Sequence, residues 1–101
     1  VGAGTVVAPG SKIGHSVVMG ENCHLANNVS IAGSAVIGSR SFLGSGCSVR
    51  SHAKLAPGTI VGAGAVVVDD VKEPGMTIAG VPARPLAPRS ERRGVPRQGL
   101  R

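Results

Sequence analysis

Residues 25–48 read LANNVS IAGSAV IGSRSF LGSGCS, four phrases of six residues, each opening on an aliphatic side chain followed by Ala or Gly. The same phrase runs outward in both directions. Upstream it gives VGAGTV, VAPGSK, IGHSVV and MGENCH; downstream it gives VRSHAK, LAPGTI, VGAGAV and VVDDVK, twelve phrases over residues 1–72. The first position is aliphatic in all twelve, and the second is small in all but Arg50 and Val68. The fifth holds only Thr, Ser, Ala, Cys or Val. A fixed short period dictates a solenoid and overrides local propensity. Six residues make a short strand plus a turn, and three such units close a triangular coil of eighteen, so the repeat predicts an all-β prism of about four coils. At the spacing of parallel strands the stack stands roughly 19 Å tall. First- and fifth-position side chains should point inward, with the small second position turning the corner. Apolar residues recur at six, so helical spacing is absent. The period leaves the hand of the coil open, although parallel crossovers are normally right-handed.

A chain of 101 residues with one Phe and neither Trp nor Tyr holds a single slim aliphatic core. Three flat outer faces are left over, which predicts association through a face. The chain opens at a phrase boundary without Met, so it reads as the C-terminal part of something longer. The formal charge of +6 is concentrated at one end: residues 85–101 carry five Arg against Glu91. That Arg- and Pro-rich end reads as a basic, disordered tail over 88–101. Without interleaved aromatics it does not suggest a nucleic-acid partner. No apolar run is long enough to span a membrane. Cys23 and Cys47 both take the inward fifth position on different sides of the prism. They read as two reduced core thiols, which suits a cytoplasmic location.

Three histidines are candidates for chemistry. His15 is third in its phrase and His52 fourth, both at turns; His24 is sixth, at a strand. One coil beyond His15 lies Gly33, whose missing side chain should open a groove at that corner and expose backbone N–H groups to a ligand carbonyl or a developing oxyanion. One coil beyond His24 lies Phe42. Asn27 and Asn28 suit a turn, and Asp69 and Asp70 read as a solvated turn. Arg50 breaks the small-residue rule at a corner and would bond across a subunit seam or contact a cofactor phosphate.

The stretch GHSVVMGENCHLANNVSIAGSAVIGSRSFLGSGCSV, the later VGAGAVVVDDV and the closing AGVPARPL resemble the bacterial hexapeptide acyltransferases that include sialic acid O-acetyltransferases and UDP-4-amino-sugar N-acetyltransferases. The likeness covers residues 1–87. Its more specific part is the nine-residue step from His15 to His24 followed by Ala32-Gly33. The resemblance implies a single-stranded left-handed parallel β-helix, an exception to the usual handedness, over 1–87. It further implies a homotrimer with sites between subunits and acetyl-CoA as acyl donor, with no metal. By the same resemblance His15 is the catalytic base, and His24, Gly33, Ser45 and Ala63 contact the cofactor. Where family members often carry an acidic residue after the base, this chain has Ser16, whose hydroxyl could orient the imidazole. The family's N-terminal βαβ domain, which holds the sugar nucleotide, has no counterpart in these 101 residues.

The chemistry this implies is direct transfer to an amine or hydroxyl of a bacterial sugar or sugar nucleotide. The acceptor loses a proton as it attacks a thioester, and an imidazole titrating near neutrality is suited to take it. No nucleophile is paired with a base. Two rivals use the same prism. A zinc hydratase like the gamma-class carbonic anhydrases needs three histidines converging on one metal, and counted by eighteens His15, His24 and His52 do not converge within a chain. A non-catalytic trimerisation or regulatory β-helix is the other.

Overall fold

Each of the first eleven phrases contributes one two-residue strand, made of its sixth residue and the first residue of the next phrase, and three strands complete a coil. This computed structural model describes residues 1–86, so the basic tail expected over 88–101 lies outside the described residues. The first face carries β1 (Val6–Val7), β4 (His24–Leu25), β7 (Phe42–Leu43), β10 (Ile60–Val61) and β12 (Thr77–Ala79). The second carries β2 (Lys12–Ile13), β5 (Ser30–Ile31), β8 (Ser48–Val49) and β11 (Val66–Val67). The third carries β3 (Val18–Met19), β6 (Val36–Ile37) and β9 (Lys54–Leu55). Neighbouring strands are parallel and paired eighteen residues apart, as in Val6 with His24 and Ile13 with Ile31. The fold is therefore the all-β, parallel solenoid of about four triangular coils that the period predicts.

Within each strand the sixth residue faces out and the first faces in. Leu25, Ile37, Leu43, Val61 and Val67 are fully buried, and the fifth-position Cys23, Ala35, Cys47, Ala53 and Ala65 fill the space between them. Both cysteines are free thiols. One inward column stacks Thr5, Cys23, Ser41 and Thr59. There the Ser41 hydroxyl donates to the Gly38 carbonyl (2.8 Å) and that of Thr59 to Ala56 (2.7 Å), so neither buried hydroxyl is unpaired. Val7 and Ile13 remain 43% and 37% exposed, because their coil has a neighbour on one side only. Burial in a solenoid comes from the next coil.

The corner works differently from the sequence expectation. The fourth residue, not the second, makes the turn: φ lies between 56° and 81° there in each of the first eleven phrases, whether the residue is Gly, Asn, Ser, Arg or His. The second residue is small because the next coil's backbone passes against it. A Cβ on Gly14 would lie 2.6 Å from the Gly33 nitrogen, and one on Gly2 would lie 2.6 Å from the Gly20 carbonyl. The two exceptions, Arg50 and Val68, stack one coil apart at the same corner.

The twelfth phrase also departs from expectation. Val71 takes the place above Leu55 two residues early. The Asp70 carboxylate accepts the Lys54 N–H (3.0 Å) and draws the chain across the corner. The next strand then pairs at seventeen, Ile60 with Thr77. β13 (Arg84–Pro85) closes the first face antiparallel to β12.

Candidate active site

The corner between the second and third faces carries His15–Ser16, then Gly33–Ser34, then Ser51–His52, one pair per coil. Backbone rungs lock the pairs together: Ser34 N–H donates to the His15 carbonyl (2.9 Å), and His52 N–H to the Gly33 carbonyl (3.1 Å). The His15 imidazole lies across Gly33. A Cβ placed on Gly33 would be 2.8 Å from Nε2 and 3.0 Å from Cε1. The absent side chain is thus the space the ring uses. The Gly33 N–H has no acceptor among the described residues; Gly33 is half-buried and the imidazole beside it is exposed. Ser16, at φ 59°, makes the turn that aims His15 outward. Among the described residues no hydrogen bond joins its hydroxyl to the ring.

His24 lies elsewhere, on the first face, where its ring packs against Phe42 at 5.3 Å between centroids. Val6 below and Ile60 above continue an exposed apolar stripe, with Phe42 41% and Ile60 44% exposed. Ser45 and Ala63 share the corner between the first and second faces, joined by Gly64 N–H donating to the Ser45 carbonyl (2.8 Å). Beside them Gly46 and Gly64 open onto free space, with no atom within 4 Å of an added Cβ. One chain therefore brings together His15 with Gly33, and Ser45 with Ala63, but leaves these two pairs and His24 on different sides of the prism.

Among the described residues no three His, Cys, Asp or Glu side chains gather as a metal site. His52 shares the His15 corner two coils along, and His24 is on another face. Burial pushes the Cys47 thiol up to about 11, against the weaker opposing effect of its backbone hydrogen bond. That thiol stays protonated and is no nucleophile. Arg50 is bonded within its own chain: Nε donates to the Val68 carbonyl (2.6 Å) and a terminal nitrogen to the Ser51 carbonyl (2.8 Å). It also pairs with Asp70 at 3.5 Å. A cavity of about 250 Å³ at the C-terminal end, floored by Val67, Val71, Met76 and Ile78 beside the Asp69–Arg84 pair, had no signal in the repeat, because it forms where the repeat breaks.

Residues 34–69 match the family model described as bacterial transferase hexapeptide (six repeats). The chain is a hexapeptide-repeat protein. Among solved structures it is similar to a mutant of perosamine N-acetyltransferase from Caulobacter crescentus, in complex with CoA and GDP-perosamine. The identity is 33% over 87% of this chain and 41% of that one, with a TM-score of 0.84. It is similar also to the acetyltransferase domain of PglB from Neisseria gonorrhoeae in complex with acetyl coenzyme A. There the identity is 33% over 84% and 44% of the two chains, with a TM-score of 0.76. LpxA from Acinetobacter baumannii follows at 27% identity over 86% and 36%, with a TM-score of 0.70. No curated protein sequence matches the chain. These neighbours agree with the resemblance to hexapeptide acyltransferases of sugars, and the hexapeptide-repeat prism is the left-handed β-helix which that resemblance implies. The chain spans less than half the length of each of the three neighbours.

Proposed function

We propose that this hexapeptide-repeat chain is the catalytic portion of an acetyl-CoA-dependent acyltransferase. Its acceptor is an amine or hydroxyl of a bacterial sugar or sugar nucleotide. The observation that carries the reading is the His15 imidazole lying over Gly33 beside an unpaired backbone N–H. The similarity to acetyltransferases bound to CoA or acetyl-CoA supports it.

His15 takes the proton from the acceptor as its nitrogen or oxygen attacks the thioester carbonyl. The Gly33 N–H would donate to the oxygen on which charge develops, where a fixed donor does most good. The sulfur leaves as the thiolate of coenzyme A while the new amide or ester forms, and no acyl-enzyme is involved. Ser16 contributes by holding the left-handed turn that presents His15. The open corner at Ser45–Gly46 and Ala63–Gly64 suits a slender donor arm passing close to the backbone.

His15 and Gly33 occupy one corner, Ser45 and Ala63 another, and His24 a face. A site using all five needs a second copy, with the His15 corner of one chain against the first face of the next. Such a head-to-tail contact closes into a ring, and a homotrimer is the closure we favour. The apolar stripe of Val6, Phe42 and Ile60 supports it, since that face is otherwise left in water. No described helix is long and apolar enough to cross a membrane. Two reduced thiols suit reaction in the cytoplasm.

The test is His15→Ala, assayed for acetyl transfer to amino-sugar nucleotides. Turnover should fall by about two to four orders of magnitude, the usual worth of a general base, with acetyl-CoA binding kept. Near-normal turnover removes His15 from the mechanism. Failure of the native assembly to bind acetyl-CoA returns the prism to a scaffold role.

A further inference from the structure

Two coils beyond His15, roughly 10 Å along the axis at the parallel-strand spacing, the same corner carries a cluster the acyl-transfer reading leaves unused. Arg50 lies on the second-face side of the corner, His52 at its tip and Lys54 on the third face, and all three are exposed. Arg50 is the one charged residue at any second position of the repeat. Its guanidinium donates to the Val68 and Ser51 carbonyls and stands 3.5 Å from the Asp70 carboxylate. Two of its five donors are taken by those hydrogen bonds and one nitrogen faces Asp70, which leaves donors for a ligand. Held in this way, the fork is pre-oriented and loses little side-chain entropy on meeting an anion. Asp70 is the acidic group paired with the cluster; its carboxylate also accepts the Lys54 backbone N–H. Asp69 is turned to Arg84. Two cationic side chains and an imidazole thus stand against one carboxylate on the edge where His15 works.

We propose that Arg50, His52 and Lys54 form a phosphate-binding step on the catalytic corner, gripping a phosphate group of one of the two reactants while its reacting end reaches His15. The inference builds on His15 as the reacting group. A phosphate dianion accepts several charge-assisted hydrogen bonds at once, which an exposed Arg–Asp pair worth little by itself would yield to. The phosphate comes from the coenzyme A donor or from a nucleotide-linked acceptor.

The full chain is titrated with coenzyme A, with pantetheine, which is the same arm without phosphates, and with GDP. Native protein is compared with Arg50→Gln/His52→Gln and with His52→Gln/Lys54→Gln, the latter leaving the Arg50–Asp70 pair intact. Binding of coenzyme A or of GDP should weaken at least about tenfold in both variants, the worth of one charge-assisted hydrogen bond, with pantetheine unaffected. Weakening of coenzyme A assigns the step to the donor, and weakening of GDP alone assigns it to the acceptor. Unchanged binding of both, equal weakening of pantetheine, or native protein that binds neither would overturn the proposal. Variant-sensitive binding without any acetyl transfer would leave the phosphate step standing and remove the acyltransferase reading.

Discussion

At the scale of single residues, the proposed chemistry rests on the space above Gly33, which the His15 ring fills. Gly33 has an ordinary backbone conformation, so Gly33→Ala should fold without strain, but its methyl would enter the volume of the His15 ring. We expect Gly33→Ala to lower turnover at least about tenfold while the melting temperature moves by only a few degrees, since a surface change of this kind costs little stability. Equal turnover in the two proteins would mean that the ring position is irrelevant to transfer. Cys47 gives a second test. Its folded pKa is raised from the ordinary 9.0 to about 11. Below pH 9 both native and unfolded chains hold the proton. Between 9 and 11 the unfolded chain releases it first, so unfolding becomes easier as pH rises. The unfolding free energy from denaturant titration should therefore fall with pH across that window, by up to ~1.4 kcal/mol per unit. Cys47→Ala, which copies Ala65 one coil along, should lack that part of the slope. Parallel pH profiles for the two proteins would contradict the burial argument.

At the scale of the repeat element, the six-residue phrase has two constraints at the corner, and they act on different positions. The second residue is limited by the backbone of the next coil, so its side chain must be small. The fourth is limited by its left-handed backbone, a region that costs an ordinary L-residue roughly 1–2 kcal/mol. Gly occupies that position in five of the first eleven phrases; the others accept the strain. Arg40, at φ 61° and exposed, is the clearest case. Arg40→Gly should stabilise the protein by a few tenths to about 1 kcal/mol, the strain relief exceeding the added backbone entropy of Gly. Its melting curve checks this, and a lower midpoint would show that the Arg40 side chain supplies more than its backbone costs. The same logic accounts for Arg50. It fits a small-residue position because its side chain runs out along the corner to the Val68 carbonyl, and the coil beyond it is the one that breaks pitch.

At the scale of the whole molecule, four coils of aliphatic side chains leave one apolar outer stripe and scatter the candidate residues over separate sides. The proposed self-association would resolve both features together. The native chain should sediment at about three times its 10.0 kDa mass. Phe42→Asp combined with Ile60→Asp should shift it toward the monomer without changing its β-sheet circular dichroism, because both side chains point away from the core. Acetyl transfer should be lost with the assembly. A native chain that sediments as a monomer would defeat the shared-site reading.

The period by itself determined the all-β solenoid, its eighteen-residue coil, the inward first and fifth positions and the meeting of His15 with Gly33. It could do so because stacking strands in parallel converts a sequence interval directly into a neighbour in space. Asn28 and Asp70 show where such reading stops. The left-handed turn at Asn28 was legible from its side chain, and His52 was placed at a turn, but the left-handed backbone at Arg40 and His52 was not legible. Asp70 looked like a solvated turn, yet its carboxylate takes a backbone N–H from the coil beneath and shortens the last coil. Only the tertiary structure decided that turn, the partners of Arg50 and the cavity at the C-terminal end. Those depend on how side chains compete for backbone groups at a corner and on where the repeat breaks, and a six-residue pattern specifies the spacing of corners without specifying which groups pair there.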